Sequence, residues 1–160
     1  MQTPLYNELQ IKRENAKIKR HALILAALFV VTITTNVLFF VFLTAENALA
    51  FRIILNVYDV AACWAAVYLV FGAIVPLRND VKFVRRMISS DKKTVTGSIE
   101  KIGDVITFSN RFFQEITIKD GRASFVVYLE KEFQPSFSEG ETIEFMLVDR
   151  VIFSYKAEKV

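Results

Sequence analysis

One cysteine, one histidine, five glycines and three prolines are all that 160 residues offer of those types. Cys63 alone rules out an intrachain disulfide and a cysteine-based zinc site, and His21 alone rules out a multi-histidine metal cluster. The glycines are scattered, so no Gly-rich phosphate loop forms, and HExxH, CxxC and GxSxG are absent. His21 stands at the mouth of an apolar run, where a lone imidazole reads as an interfacial residue. Cys63 lies inside another run and reads as a small packing residue. Nothing marks a nucleophile, a general base or a cofactor site, so the chain is read as non-enzymatic and free of cofactors.

Ionisable side chains are missing from Ala22 to Thr44. As a helix these 23 residues extend about 34 Å, enough for a hydrocarbon core of about 30 Å. A cleaved signal peptide has an apolar core of only about 7–15 residues, and Thr44-Ala45-Glu46-Asn47-Ala48 is a poor cleavage site. A second 23-residue run, Ile53 to Val75, carries one charge, Asp59, and Pro76 is expected to close it. Lys12, Arg13, Lys17, Lys19 and Arg20 precede the first run, and Arg78, Lys82, Arg85, Arg86, Lys92 and Lys93 follow the second. The loop between, about residues 45–52, offers only Arg52. The positive-inside rule then gives a two-pass protein of the cell membrane with both termini cytoplasmic.

Polar residues inside the runs are few and informative. Asp59 and Asn36 each lie about seven residues from the outer end of their helix, so a hairpin brings them to similar depth. Asn56 precedes Asp59 by three residues, and Thr32 and Thr35 share the face of Asn36. A carboxylate at that depth is costly unless paired, protonated or wetted. No Lys or Arg is available as counter-ion, and two helices cannot enclose an ion path. The expectation is a hydrogen-bonded clasp of Asn36, Asn56 and Asp59 holding the hairpin or an oligomer together. Ala62 and Ala66, beside Ala65, supply a small-residue face for helix packing.

From Asn79 to Ser90, helical winding gathers Val81, Phe83, Val84, Met87 and Ile88 on one side. Lys82, Arg85 and Arg86 fall on the other, and Asn79 is the expected N-cap. Such a helix suits the headgroup layer, its cations against lipid phosphates. It equally suits packing of the apolar stripe onto a neighbouring domain or a second subunit.

After Thr94 the period changes to two. Val95–Ile102, Val105–Phe108, Glu115–Lys119, Ser124–Glu130, Thr142–Val148 and Val151–Tyr155 read as six short strands. Asp120-Gly121 and Asp149-Arg150 read as tight turns, and Gly97 as a bulge or bend. So few residues fill a small OB-like or SH3-like barrel, not a two-sheet sandwich. The fold class is therefore a membrane α-helical hairpin plus a small all-β barrel. Its parts are a basic segment 1–21, the hairpin 22–76 (helices about 22–44 and 53–75), an amphipathic helix 77–93 and a cytosolic β domain 94–160.

Charge divides between the halves. Residues 1–93 carry twelve Lys/Arg against six Asp/Glu, and residues 94–160 eight against eleven. A net-negative β domain repels nucleic acid, although Arg111, Phe112 and Phe113 form a local basic-aromatic loop after Asn110. One of these Phe is expected to plug the barrel and the other to meet lipid or a partner. The layout resembles that of NfeD-like membrane proteins, which also place an OB-type barrel after membrane helices. It is also similar to that of anti-phage membrane effectors whose β-barrel senses a cyclic nucleotide. No motif carries either likeness, so each implies architecture alone. The reading is a membrane-anchored adaptor or assembly subunit, whose barrel binds a partner protein and whose helices anchor it and form a homo-oligomer or hetero-complex. The rivals are a ligand-gated membrane effector and an accessory subunit of a channel or transporter.

Overall fold

A computed structural model of the protein describes residues 4–42, 48–108, 111–121, 123–133 and 137–157. The chain divides into two compact units, one of Lys12–Val81 and one that joins Met1–Ile11 to Lys82–Val160.

The first unit is helical. α1 runs Glu8–Val41 and α2 runs Ala48–Val67, then a π-helical segment, Tyr68–Ile74, leads into α3, Val75–Ser89. Two stretches, Glu8–Val41 and the unbroken Ala48–Ser89, are long and apolar enough to cross a membrane. α2 takes up much of the expected loop, so Phe51 and Arg52 are helical, while residues 45–47 lie outside the described residues. Phe51 meets Phe39 edge to face at 5.2 Å, bringing this end of α2 against α1. Pro76 does not close the second helix. The π-helical segment bonds five residues back, with Val75 N–H on Val70 O, and Pro76 stands in the first turn of α3. Its missing N–H falls where the pattern returns to four residues, so the ring is tolerated. Asn79 is consequently inside α3 and caps nothing.

α1 starts at Glu8, well before the apolar run, because Asn7 and Gln10 form a reciprocal cap. Gln10 N donates to Asn7 Oδ1 at 3.1 Å, and Asn7 N donates to Gln10 Oε1 at 3.2 Å. The residue before the cap, Tyr6, and the fourth residue of the helix, Ile11, both join one apolar cluster, as in a hydrophobic staple. Residues 8–21 are thus helical and continuous with the apolar run.

The second unit holds a mixed five-strand sheet. Its strands are β1 (Lys93–Phe108), β2 (Arg111–Asp120), β3 (Ala123–Glu130), β4 (Thr142–Val148) and β5 (Val151–Ala157). The order β1-β2-β3-β5-β4 returns to β1, with all pairs antiparallel except a single parallel bridge, Tyr128 to Val151. The first two expected strands are one. β1 pairs with β4 over Lys93–Ser98 and with β2 over Ser98–Phe108, and register shifts after Ile99 and Ile102 absorb the break in alternation. Gly97 sits where β1 passes between partners. A Cβ there would lie 2.5 Å from Ile118 Cγ2 and 2.7 Å from Lys119 O, so glycine is required by close approach at a bend, not by a bulge. Asp120 pairs with Ala123, which shifts the β2–β3 turn one residue beyond the expected Asp120-Gly121. Asp149, at φ 56, turns β4 into β5 as expected.

Inward residues of all five strands form the main core, among them Ile99, Ile116, Val127, Phe145 and Ile152. A second cluster lies around Tyr6, Val84, Met87, Val148 and Phe153. Val84 and Met87 are buried there, and Phe83 and Ile88 pack beside them. Of the two uses open to the amphipathic stripe, packing on the β domain is the one seen.

Candidate functional site

Residues 4–7 bring a buried group that sequence reasoning missed. Leu5 N donates to Phe153 O at 2.9 Å, laying the segment along β5. Tyr6 follows and is 1% exposed. Its ring meets Phe83 of α3 at 5.7 Å and Phe133 at 5.4 Å, both edge to face, and stacks on Phe153 at 6.3 Å. The segment before α1 and the end of α3 therefore meet in one aromatic cluster on the sheet.

A polar pair lies under that cluster. Arg111 opens β2 and Glu130 ends β3, and the antiparallel pairing of the two strands sets Nη1 of Arg111 on Oε1 of Glu130. Glu130 is 3% exposed, and the Arg111 guanidinium lies over the Phe83 ring at 4.8 Å. The other carboxylate oxygen and the Tyr6 hydroxyl are both buried and interact electrostatically, but neither completes a hydrogen bond of good geometry. Burial pushes the Glu130 carboxyl above the usual range, opposed by the Arg111 charge and by Tyr6. Burial, and then the Glu130 charge, raise the Tyr6 phenol as well. This is a raised acid paired with a cation and packed among aromatic rings, a geometry that fastens residues 4–7 to the sheet.

An apolar groove of about 520 Å³ opens beside it. Phe83 and Met87 of α3, Ile106 and Phe108 of β1 and Phe113 of β2 form its apolar walls, while Arg86, Asp149 and Arg150 stand at the rim. Its volume lies within the range of small-molecule clefts, about 300–1,000 Å³. Phe83 and Phe113 touch at 5.9 Å, so the groove and the Tyr6 cluster share a wall. Phe108 is 63% exposed and Phe112 58%, on the two strands whose ends flank the groove.

In the helical unit, Asn36 Nδ2 donates to Asp59 Oδ1 at 2.9 Å and also to Thr32 O at 2.9 Å. Asn56 does not join them. It is exposed, and its side-chain amide bonds no described residue. Ala62 and Ala66 are half-buried on the same face as Asp59.

The remaining expected residues divide. Lys82 and Arg85 are exposed, whereas Arg86 Nη2 bonds Asp149 Oδ2 at 2.8 Å. Arg111 is a lock on Glu130, Phe113 is buried and Phe112 is exposed, so the three do not form one surface. Asn110 lies outside the described residues. Among the described residues no three of His, Cys, Asp and Glu gather as metal ligands. The one sequence signal for the Tyr6 fastening was Tyr-Asn-x-x-Gln-Ile, a capped helix start with apolar residues on either side of its first turn. No protein-family model matches the chain, and neither a curated protein nor a solved structure is similar to it.

Proposed function

We propose that the chain is a non-enzymatic, membrane-anchored adaptor or assembly subunit. Residues 22–44 and 53–75 cross the membrane with both termini in the cytoplasm, and an OB-type barrel docks a partner protein there. The strand order and the long, curled β1 support the OB assignment. OB domains commonly bind through the β1–β2 and β4–β5 loops, the two loops that flank the groove here. The observation that carries the reading is that groove, with two large apolar side chains, Phe108 and Phe112, left uncovered beside it.

A photocrosslinking residue placed at Phe108 in cells tests it, with exposed Glu100 as control. A discrete protein adduct from Phe108, lost when Ile106→Trp fills the groove, is the expected result. Equal adducts from both positions, or none, reject partner docking at this face.

A ligand-gated effector is the second reading, favoured by the wall that the groove shares with the Tyr6 cluster. An occupant that moves Phe83 would be felt where the segments leading to both helices meet. In that case a small molecule, with no partner present, should alter the exposure of Tyr6 in the purified chain.

A further inference from the structure

Asp59 and Asn36 are engaged with each other inside the hairpin, and Ala62 and Ala66 share the Asp59 face. The residues expected to build an oligomer therefore face inward. Most of the α2 surface is exposed, and about a third of a turn from Asp59 one stripe of it, Ile53, Asn56, Val60, Cys63 and Val67, carries a side-chain amide among apolar residues. Their spacing of three and four residues is that of a helix–helix seam. One member is polar. The Asn56 amide has a donor and an acceptor and no partner among the described residues, and lipid tails supply neither.

We infer that this stripe is the face on which a second copy of the chain packs, with Asn56 bonded to Asn56 of that copy across a twofold axis. The amide is self-complementary, and a twofold contact brings the same residue to itself. A lone Asn in an apolar seam also fixes its register, since any slip leaves both amides unpaired. Small or β-branched Val60, Cys63 and Val67 let the backbones approach. The inference rests on the membrane reading above, and the experiment separates the two.

Membranes from cells making the full chain are oxidised with copper phenanthroline, and dimer is read on a non-reducing gel, with alkaline carbonate extraction run in parallel. The wild type, through native Cys63, and Ile53→Cys in a Cys63→Ser background should both give dimer. Ala62→Cys in that background, on the inward face, should not. Asn56→Leu should cut the Cys63 dimer roughly three- to tenfold, and Asn56→Gln should keep most of it. A chain that carbonate extracts overturns the membrane reading. An integral chain with no dimer through Cys63 or Ile53→Cys overturns this face alone. So does a dimer as strong from Ala62→Cys, or an undiminished one in Asn56→Leu.

Discussion

Asn36 and Asp59 meet at 2.9 Å across 23 residues of sequence, and theirs is the polar side-chain contact that joins α1 to α2 among the described residues. Asn36 Nδ2 supplies one hydrogen to Asp59 and one to its own helix at Thr32 O. Its rotamer is thereby set from α1 before α2 arrives, so the bond costs little additional ordering.

Asp59→Asn keeps an acceptor oxygen for Asn36 and should leave hairpin stability unchanged. Asp59→Leu removes the acceptor and should cost about 0.6–2 kcal/mol. Unfolding of the full chain in mixed micelles by added dodecyl sulfate measures both. If Asn were as damaging as Leu, the charge and not the hydrogen bond would be what matters.

Tyr6 fastens the segment before α1, and its rings should be worth more than its hydroxyl. Tyr6→Ala should cost about 3–5 kcal/mol in the β-domain unit, as for other buried aromatic truncations. Tyr6→Phe should stay within about 1 kcal/mol, because the hydroxyl completes no good hydrogen bond. Hydrogen exchange at Leu5, whose N–H bonds Phe153 O, should rise sharply in the first variant and little in the second. Unchanged protection in Tyr6→Ala would mean that the segment is held by something else.

The helices were legible because two 23-residue runs with at most one charge each are a signal that needs no partner. The strands were legible through period two and turn chemistry. What escaped depended on tertiary context. Gly103 and Asp104 read as a break between strands, yet a register shift carries β1 through them. Pro76 read as a stop, since a π-helical turn cannot be foreseen from residue types. Glu130 ends an apolar strand, and nothing in the sequence around it marks it as buried. Only its antiparallel neighbour β2, which delivers Arg111, shows why it is buried. Asn56 was grouped with Asp59 by spacing, but three residues of helix turn it far enough to leave the clasp.

Gly97→Ala should cost at least about 1–3 kcal/mol, because Lys119 O is backbone and cannot yield as a side-chain end would. Gly103→Ala, whose Cβ would meet Glu115 Cβ at 3.2 Å, should be milder. Urea or thermal unfolding of the full chain compares them. A neutral Gly97→Ala would show that β1 can straighten, and the closed strand order would then lose its support.

Glu130 gives the fold a dependence on pH opposite in sign to that of most paired carboxylates. Burial raises its pKa in the folded chain, so the fold binds the proton more tightly than the unfolded chain does. The resulting stabilisation is complete below the ordinary glutamate pKa, is lost as pH rises through the raised folded value, and is absent above it. Arg111 opposes the shift, so the stabilisation lost is smaller than burial alone would give, and Tyr6 stays protonated throughout the range. Stability of the β-domain unit, followed by thermal melting of the full chain, should therefore decline from mildly acid toward neutral pH. Glu130→Gln carries no titrating proton and should flatten that decline, while leaving Arg111 an amide oxygen to bond. Arg111→Met removes the opposing charge and should steepen it, extending the loss to higher pH. A profile that rises toward neutral pH in the wild type, and still rises in Glu130→Gln, would show that other carboxylates outweigh this one. A rise abolished by Glu130→Gln would instead mean that Arg111 holds the carboxylate ionised, and the desolvation argument would be wrong.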